Sequence, residues 1–147
     1  MRQLQALPSP VGARELSDQL WQLWTDAPDE PAQALLDQGM RQRESYDLLG
    51  ARDTLDRLVE YCPDYAEGYN QRAFANFLRA DYTAALYDLD AALAITPTHL
   101  GALTGKVLTL IRLDRDPEAQ IILREALNLN PWLSERALLT EPAGEDI

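Results

Sequence analysis

The chain is poor in the residues that most chemistry needs. It has a single cysteine, Cys62, which excludes an internal disulfide and any thiolate metal cluster. It has a single histidine, His99, two residues past Pro97, with no other ligand type gathered beside it. A metal site needs several converging ligands, so His99 is expected to be a surface residue of a turn. Seven glycines are too scattered for a phosphate-cradling loop, and no serine sits in a nucleophile elbow. No apolar run approaches the roughly 18 residues that a membrane-crossing helix needs. The start, "MRQLQALPSP", lacks an apolar h-region. The compartment is expected to be the cytoplasm as the chain stands, and the periplasm if a leader has been removed.

Positive charge is also short. There are 24 acidic and 13 basic residues, a net charge of −11. Nucleic-acid backbones and anionic membrane surfaces both demand a basic face, so neither is an expected partner. A protein partner with an apolar or basic segment fits better, and much of the charge serves to keep the surface solvated. Lys106 is the only lysine among the 13 bases. That bias points to a GC-rich bacterial coding sequence rather than to chemistry.

What the chain does have is a period. Pro63, Pro97 and Pro131 stand 34 residues apart, and other columns fall into the same register. Ala51, Ala85 and Ala119 form one, and Leu55, Leu89 and Leu123 another. Val59, Leu93 and Leu127 follow, then Tyr61, Ile95 and Leu129. Upstream, Leu35, Tyr69 and Leu103 align, as do the small Gly39, Ala73 and Val107. Residues 66–79 and 83–95 carry apolar positions at helical spacing, with the turn "RADYT" between them. Each unit therefore reads as two antiparallel helices. The small column lets backbones approach, the leucines fill the gap between helices, and each proline closes a unit.

The stretch "AEGYNQRAFANFLRADYTAALYDLDAALAITP", with its ordered Tyr, Ala, Asp-Tyr, Ala, Ala-Leu and Pro, resembles the tetratricopeptide repeat family. The unit 100–133 matches through "EAQIILREALNLNP", and the more divergent 32–65 keeps Gly39, Ala51, Leu55 and Pro63. The resemblance covers about 100 residues and implies an all-α, right-handed α-solenoid of three repeats, 32–65, 66–99 and 100–133. Two ends then need covering. Residues 1–31 hold an amphipathic helix, "ARELSDQLWQLWTDAP", read as half of a degenerate repeat. Its Trp21 and Trp24 are either core-capping residues or an exposed docking or dimer surface. A short capping helix starts at Pro131, and 134–147 make the C-terminal cap and acidic tail.

The family commonly binds a peptide or helix in the concave groove lined by first helices. Carried onto this chain, that groove holds Leu36, Met40 and Arg43, then Asn70, Gln71, Phe74 and Phe77, then Thr104, Leu108, Ile111 and Arg112. Phe74, Phe77, Leu108 and Ile111 would make an apolar floor, although Phe77 and Ile111 are as well placed to pack between helices. Asn70 and Gln71 would bond a peptide backbone, and Arg43 and Arg112 would pair with carboxylates. The clamp by which one subfamily grips terminal carboxylates is not expected, because its places hold Leu36, Met40, Gly101 and Gly105.

Catalysis is not expected. Cys62 has no nearby histidine to activate it and reads as a small hydrophobe. Asp88 and Asp90 are two apart on a helix, share no face, and read as solvated. The function implied is a non-catalytic protein-interaction scaffold without metal or cofactor. The rival is a self-associating module that dimerises through the groove or the Trp-bearing cap.

Overall fold

The computed structural model describes residues 26–139. These form six α-helices: α1 (Glu30–Glu44), α2 (Leu48–Tyr61), α3 (Ala66–Leu78), α4 (Tyr82–Ile95), α5 (Leu100–Arg112) and α6 (Asp116–Leu129). A 3-10 turn, Ser134–Leu138, follows. The expected helix at Trp21 and Trp24 lies outside the described residues.

Each first helix ends the same way. Asp47 N donates to Gln42 O, Asp81 N to Asn76 O, and Arg115 N to Leu110 O, closing a Schellman turn. The residue before each donor is left-handed: Tyr46 (φ 63°), Ala80 (φ 63°) and Asp114 (φ 58°). None is glycine, so the same strained turn recurs at the 34-residue period without its usual residue. The turn feeds directly into the next helix. Asp47 caps α2 by accepting from Gly50 N, and Asp81 caps α4 by accepting from Ala84 N. Arg115, at the equivalent place before α6, makes no side-chain cap.

The repeating columns form the core. Ala51, Ala85, Ala119, Leu55 and Leu123 have no exposure at all, and Leu89 is buried too. Gly39 shows why the small column matters: a Cβ there would lie 2.6 Å from Leu55 Cδ2. Truncating a leucine buried like Leu55 to alanine costs roughly 2–5 kcal/mol. The column of Tyr61, Ile95 and Leu129 packs less than the others, since Tyr61 and Ile95 are exposed.

Besides its own hairpin partner, α3 packs on α2 and α5 packs on α4. The first helices also adjoin one another, α1 with α3 and α3 with α5; the second helices do not meet to the same extent. The more tightly spaced layer is the inner one, so α1, α3 and α5 line the concave side of an all-α solenoid. The C-terminal cap is slighter than expected. Leu133 packs on the last core, but Trp132, Leu138 and Leu139 stay exposed.

Equivalent ion pairs cross both seams between repeats. Arg72 on α3 reaches back to Asp56 on α2 at 3.0 Å, and Lys106 on α5 reaches back to Asp90 on α4 at 2.8 Å. Each member of the second pair stands 34 residues beyond its counterpart.

Candidate functional site

Only part of the inner layer is open. At its N-terminal end a polar cluster closes it. Glu67, in the first turn of α3, is buried, as is His99 at the start of α5. His99 Nδ1 accepts from Ala102 N at 3.1 Å and caps α5. That contact leaves the proton on Nε2, which donates to Glu67 Oε1 at 2.7 Å. Gln71 Nε2 donates to the other carboxylate oxygen at 2.6 Å, and Asn70 Nδ2 adds longer contacts of 3.3 and 3.4 Å. The helix N-terminus adds its positive end to these donors.

This cluster corrects two expectations. His99 is not a surface turn residue but a buried cap joining the second repeat to the third. Asn70 and Gln71 do not face a partner, because both side chains turn onto Glu67 and are buried. Leu36 is likewise withdrawn from the groove: it is fully buried against the core of the first repeat. Met40 packs beside it, partly exposed.

The C-terminal halves of the first helices are different. Phe74 is 44% exposed and Leu108, one period later, is 36% exposed. Phe77 and Ile111 are partly buried against the core, and Phe77 packs edge-on to Tyr82 at 5.2 Å. Thr104 turns its hydroxyl to Gly101 O. The Arg43 guanidinium stacks over Phe74 at 4.1 Å. At the other end Arg112 stands 5.4 Å over Phe77 and bonds the Tyr82 hydroxyl. So Arg43 meets Phe74 and Arg112 meets Phe77, Leu108 is exposed one period beyond Phe74, and Asn70 and Gln71 turn away onto Glu67.

A second polar feature lies between α2, α3 and α4, in an open depression of about 340 Å³ lined by Arg52, Asp56, Arg72 and Asp88 among others. Asp88 was expected to be solvated, yet it is buried. Arg72 grips it with a two-pronged pair at 2.7 and 3.0 Å, and Asn76 donates a third bond. Burial pushes the Asp88 carboxyl above its usual range, and Arg72 and Asn76 pull against that rise. Asp90, two residues on, is solvent-facing as expected, with a side chain 54% exposed.

Cys62 is half-buried at the end of α2. Burial, then the charges of Asp29 and Asp64, push its thiol up, so little thiolate is present at neutral pH. Among the described residues no group of histidine, cysteine and carboxylates could hold a metal ion, and no helix is long and apolar enough to cross a membrane.

No family model matches the chain. A TPR repeat-containing protein of Rhizobium etli is 30% identical over 141 residues, which is 96% of this chain and 64% of the relative. In sequence the chain is similar to a tetratricopeptide repeat protein over nearly all of its own length. The chain spans less than two thirds of that relative's length. Among solved structures, the first TPR of Spaghetti (RPAP3), bound to an HSP90 peptide, superposes with a TM-score of 0.71 at 20% identity, over 73% of this chain and 85% of that one. The TPR2AB domain of yeast Sti1, in an HSP90 complex, gives 0.68 at 21% identity, over 87% and 52%. At such identity these two speak for the fold alone.

Proposed function

We propose that the chain is a non-catalytic protein-interaction module that holds a peptide or helix of a partner across its layer of first helices. TPR folds commonly mediate protein–protein contacts; the Spaghetti domain is bound to an HSP90 peptide, and the Sti1 domain is in an HSP90 complex. The observation that carries the reading is the exposed apolar pair Phe74 and Leu108 on neighbouring inner helices. Exposed apolar side chains in register along a concave face are what an extended partner buries. The places that a terminal-carboxylate clamp would use hold Leu36, Met40, Gly101 and Gly105, so the partner is gripped by shape and a few anchors.

The test is affinity capture from the native host with the wild-type chain and with Phe74→Asp/Leu108→Asp. The double variant should lose the captured partner while its far-UV circular dichroism stays helical. Retained capture would move the site off this layer. Sedimentation of the wild-type chain alone addresses the rival, a dimer through the groove or the Trp-bearing cap.

A further inference from the structure

We infer that the segment received by this layer is acidic at two points, with a carboxylate for Arg43 and another for Arg112 and an apolar residue between them. The inference rests on the interaction reading above and specifies the chemistry of the occupant. Its ground is a short ladder running across all three repeats. Arg43 lies 4.1 Å over the Phe74 ring, and Arg112 lies 5.4 Å from the Phe77 ring and 5.8 Å from that of Tyr82. Two guanidinium groups thus bracket two phenylalanines.

Both arginines lack a good acidic partner, in a chain that has acids to spare. Arg43 reaches only the neighbouring Glu44, at 4.0 Å, and its Nε–H is buried with no hydrogen-bond partner. Arg112 meets no carboxylate among the described residues and bonds only the neutral Tyr82 hydroxyl. Arg72, Arg52, Arg115 and Lys106 pair with carboxylates at 3.0 Å or less, whereas Arg41, Arg57, Arg79, Arg124 and Arg136, like Arg112, form no ion pair among the described residues; what sets Arg43 and Arg112 apart is that both lie over the phenylalanines of α3. Stacking on a ring fixes a guanidinium in plane and leaves its edge donors for a carboxylate fork.

The net charge of −11 would seem to repel such a segment. Charges beyond about 8 Å are largely screened at physiological salt, whereas a contact pair partly shielded by aromatic rings is not. Local pairing therefore outweighs the distant acids, and the basic partner suggested by composition meets two like charges on this face. The arginine-bearing helices α1 and α5 flank α3. At about 10 Å per neighbouring helix axis they are roughly 20 Å apart. Both guanidinium groups lean inward onto rings of α3, so an extended segment at ~3.3 Å per residue joins them in at most about six residues.

A phage-displayed library of random nine-residue peptides, selected on the purified chain, tests this. Wild-type selection should enrich Asp or Glu at two positions no more than about six residues apart, with an apolar residue between them. The best such peptide, measured by fluorescence anisotropy, should lose about tenfold in affinity on R43Q or R112Q and about as much when its acids become glutamines. R43K and R112K keep the charge but lose the fork, and should recover only part. Circular dichroism must show each variant folded.

Enrichment of lysine or arginine, or peptides whose glutamine forms bind equally well, overturns the acidic occupant. If those peptides still depend on Phe74, the interaction reading survives and only this inference fails. Peptides indifferent to Phe74→Asp, or no enriched peptide at all, overturn both. A wild-type chain that sediments as a dimer, and becomes a monomer with Phe74→Asp, gives the face to a second copy and overturns the inference as well.

Discussion

Replacing Glu67 with alanine gives the sharpest check on the inner layer. The carboxylate is fully enclosed and takes two short bonds, 2.7 Å from His99 and 2.6 Å from Gln71. Its removal takes the Glu67 acceptor from both N–H donors at a buried site. Each orphaned buried donor costs about 1–3 kcal/mol. The Asn70 contacts are longer and add little. Two strong donors therefore predict a loss of about 2–6 kcal/mol. That is a large share of the roughly 5–15 kcal/mol that holds a domain together. His99→Ala removes one of those donors and also the cap of α5, itself worth about 1 kcal/mol. In the double variant the His99 donor is no longer orphaned, so the two losses should fall short of their sum by about 1–3 kcal/mol. Urea titrations followed by far-UV circular dichroism read all three. A falling m value in Glu67→Ala would show the third repeat melting apart from the second. A Glu67→Ala loss under about 1 kcal/mol, or losses that add within about 0.5 kcal/mol, would refute the enclosed network.

Three further outcomes follow from features of the hairpins. Asp81→Ala should cost about 1 kcal/mol in urea midpoints by uncapping α4, while Arg115→Ala, at the equivalent uncapped position, should leave the midpoint nearly unmoved. Gly39→Val drives a branched side chain into Leu55 and should cost at least about 2 kcal/mol, read by the same titration. Iodoacetamide labelling of Cys62 should be slow at pH 7.5, with the midpoint of its pH–rate curve above that of free cysteine. The sign follows from burial and from Asp29 and Asp64, which disfavour the thiolate; a midpoint below free cysteine would refute that environment.

The periodic part of the molecule was legible because packing repeats. Ala51, Ala85 and Ala119 meet the same neighbours three times, so one physical need wrote three matching letters. The exposure of Phe74 and Leu108 was legible for the same reason: they share one register on the first helices. What the columns hid are contacts made once. Glu67 and His99 are 32 residues apart, two short of the period, and His99 stands where the other repeats have Tyr65 and Leu133. No column could announce them. The available signal was that two adjacent first helices bring their N-terminal ends together, placing the lone histidine beside the first-turn acid of the preceding repeat. Asp88 misled in another way. Two carboxylates two apart were treated alike, although one turns inward to Arg72 and the other outward to Lys106. The helical period separates them, but only the partner on α3 shows which one is buried.

The matched pairs Arg72–Asp56 and Lys106–Asp90 bear on how the protein yields to force. Each spans a seam, and neither lies within a hairpin. Tension applied at the two ends loads the seams in series. The joint holding the enclosed Glu67–His99 contact has an extra fastening, so the joint between the first and second repeats should part first. The solenoid would then behave as a short chain of stiff links with one weaker coupling near its start, extending in steps of about one repeat.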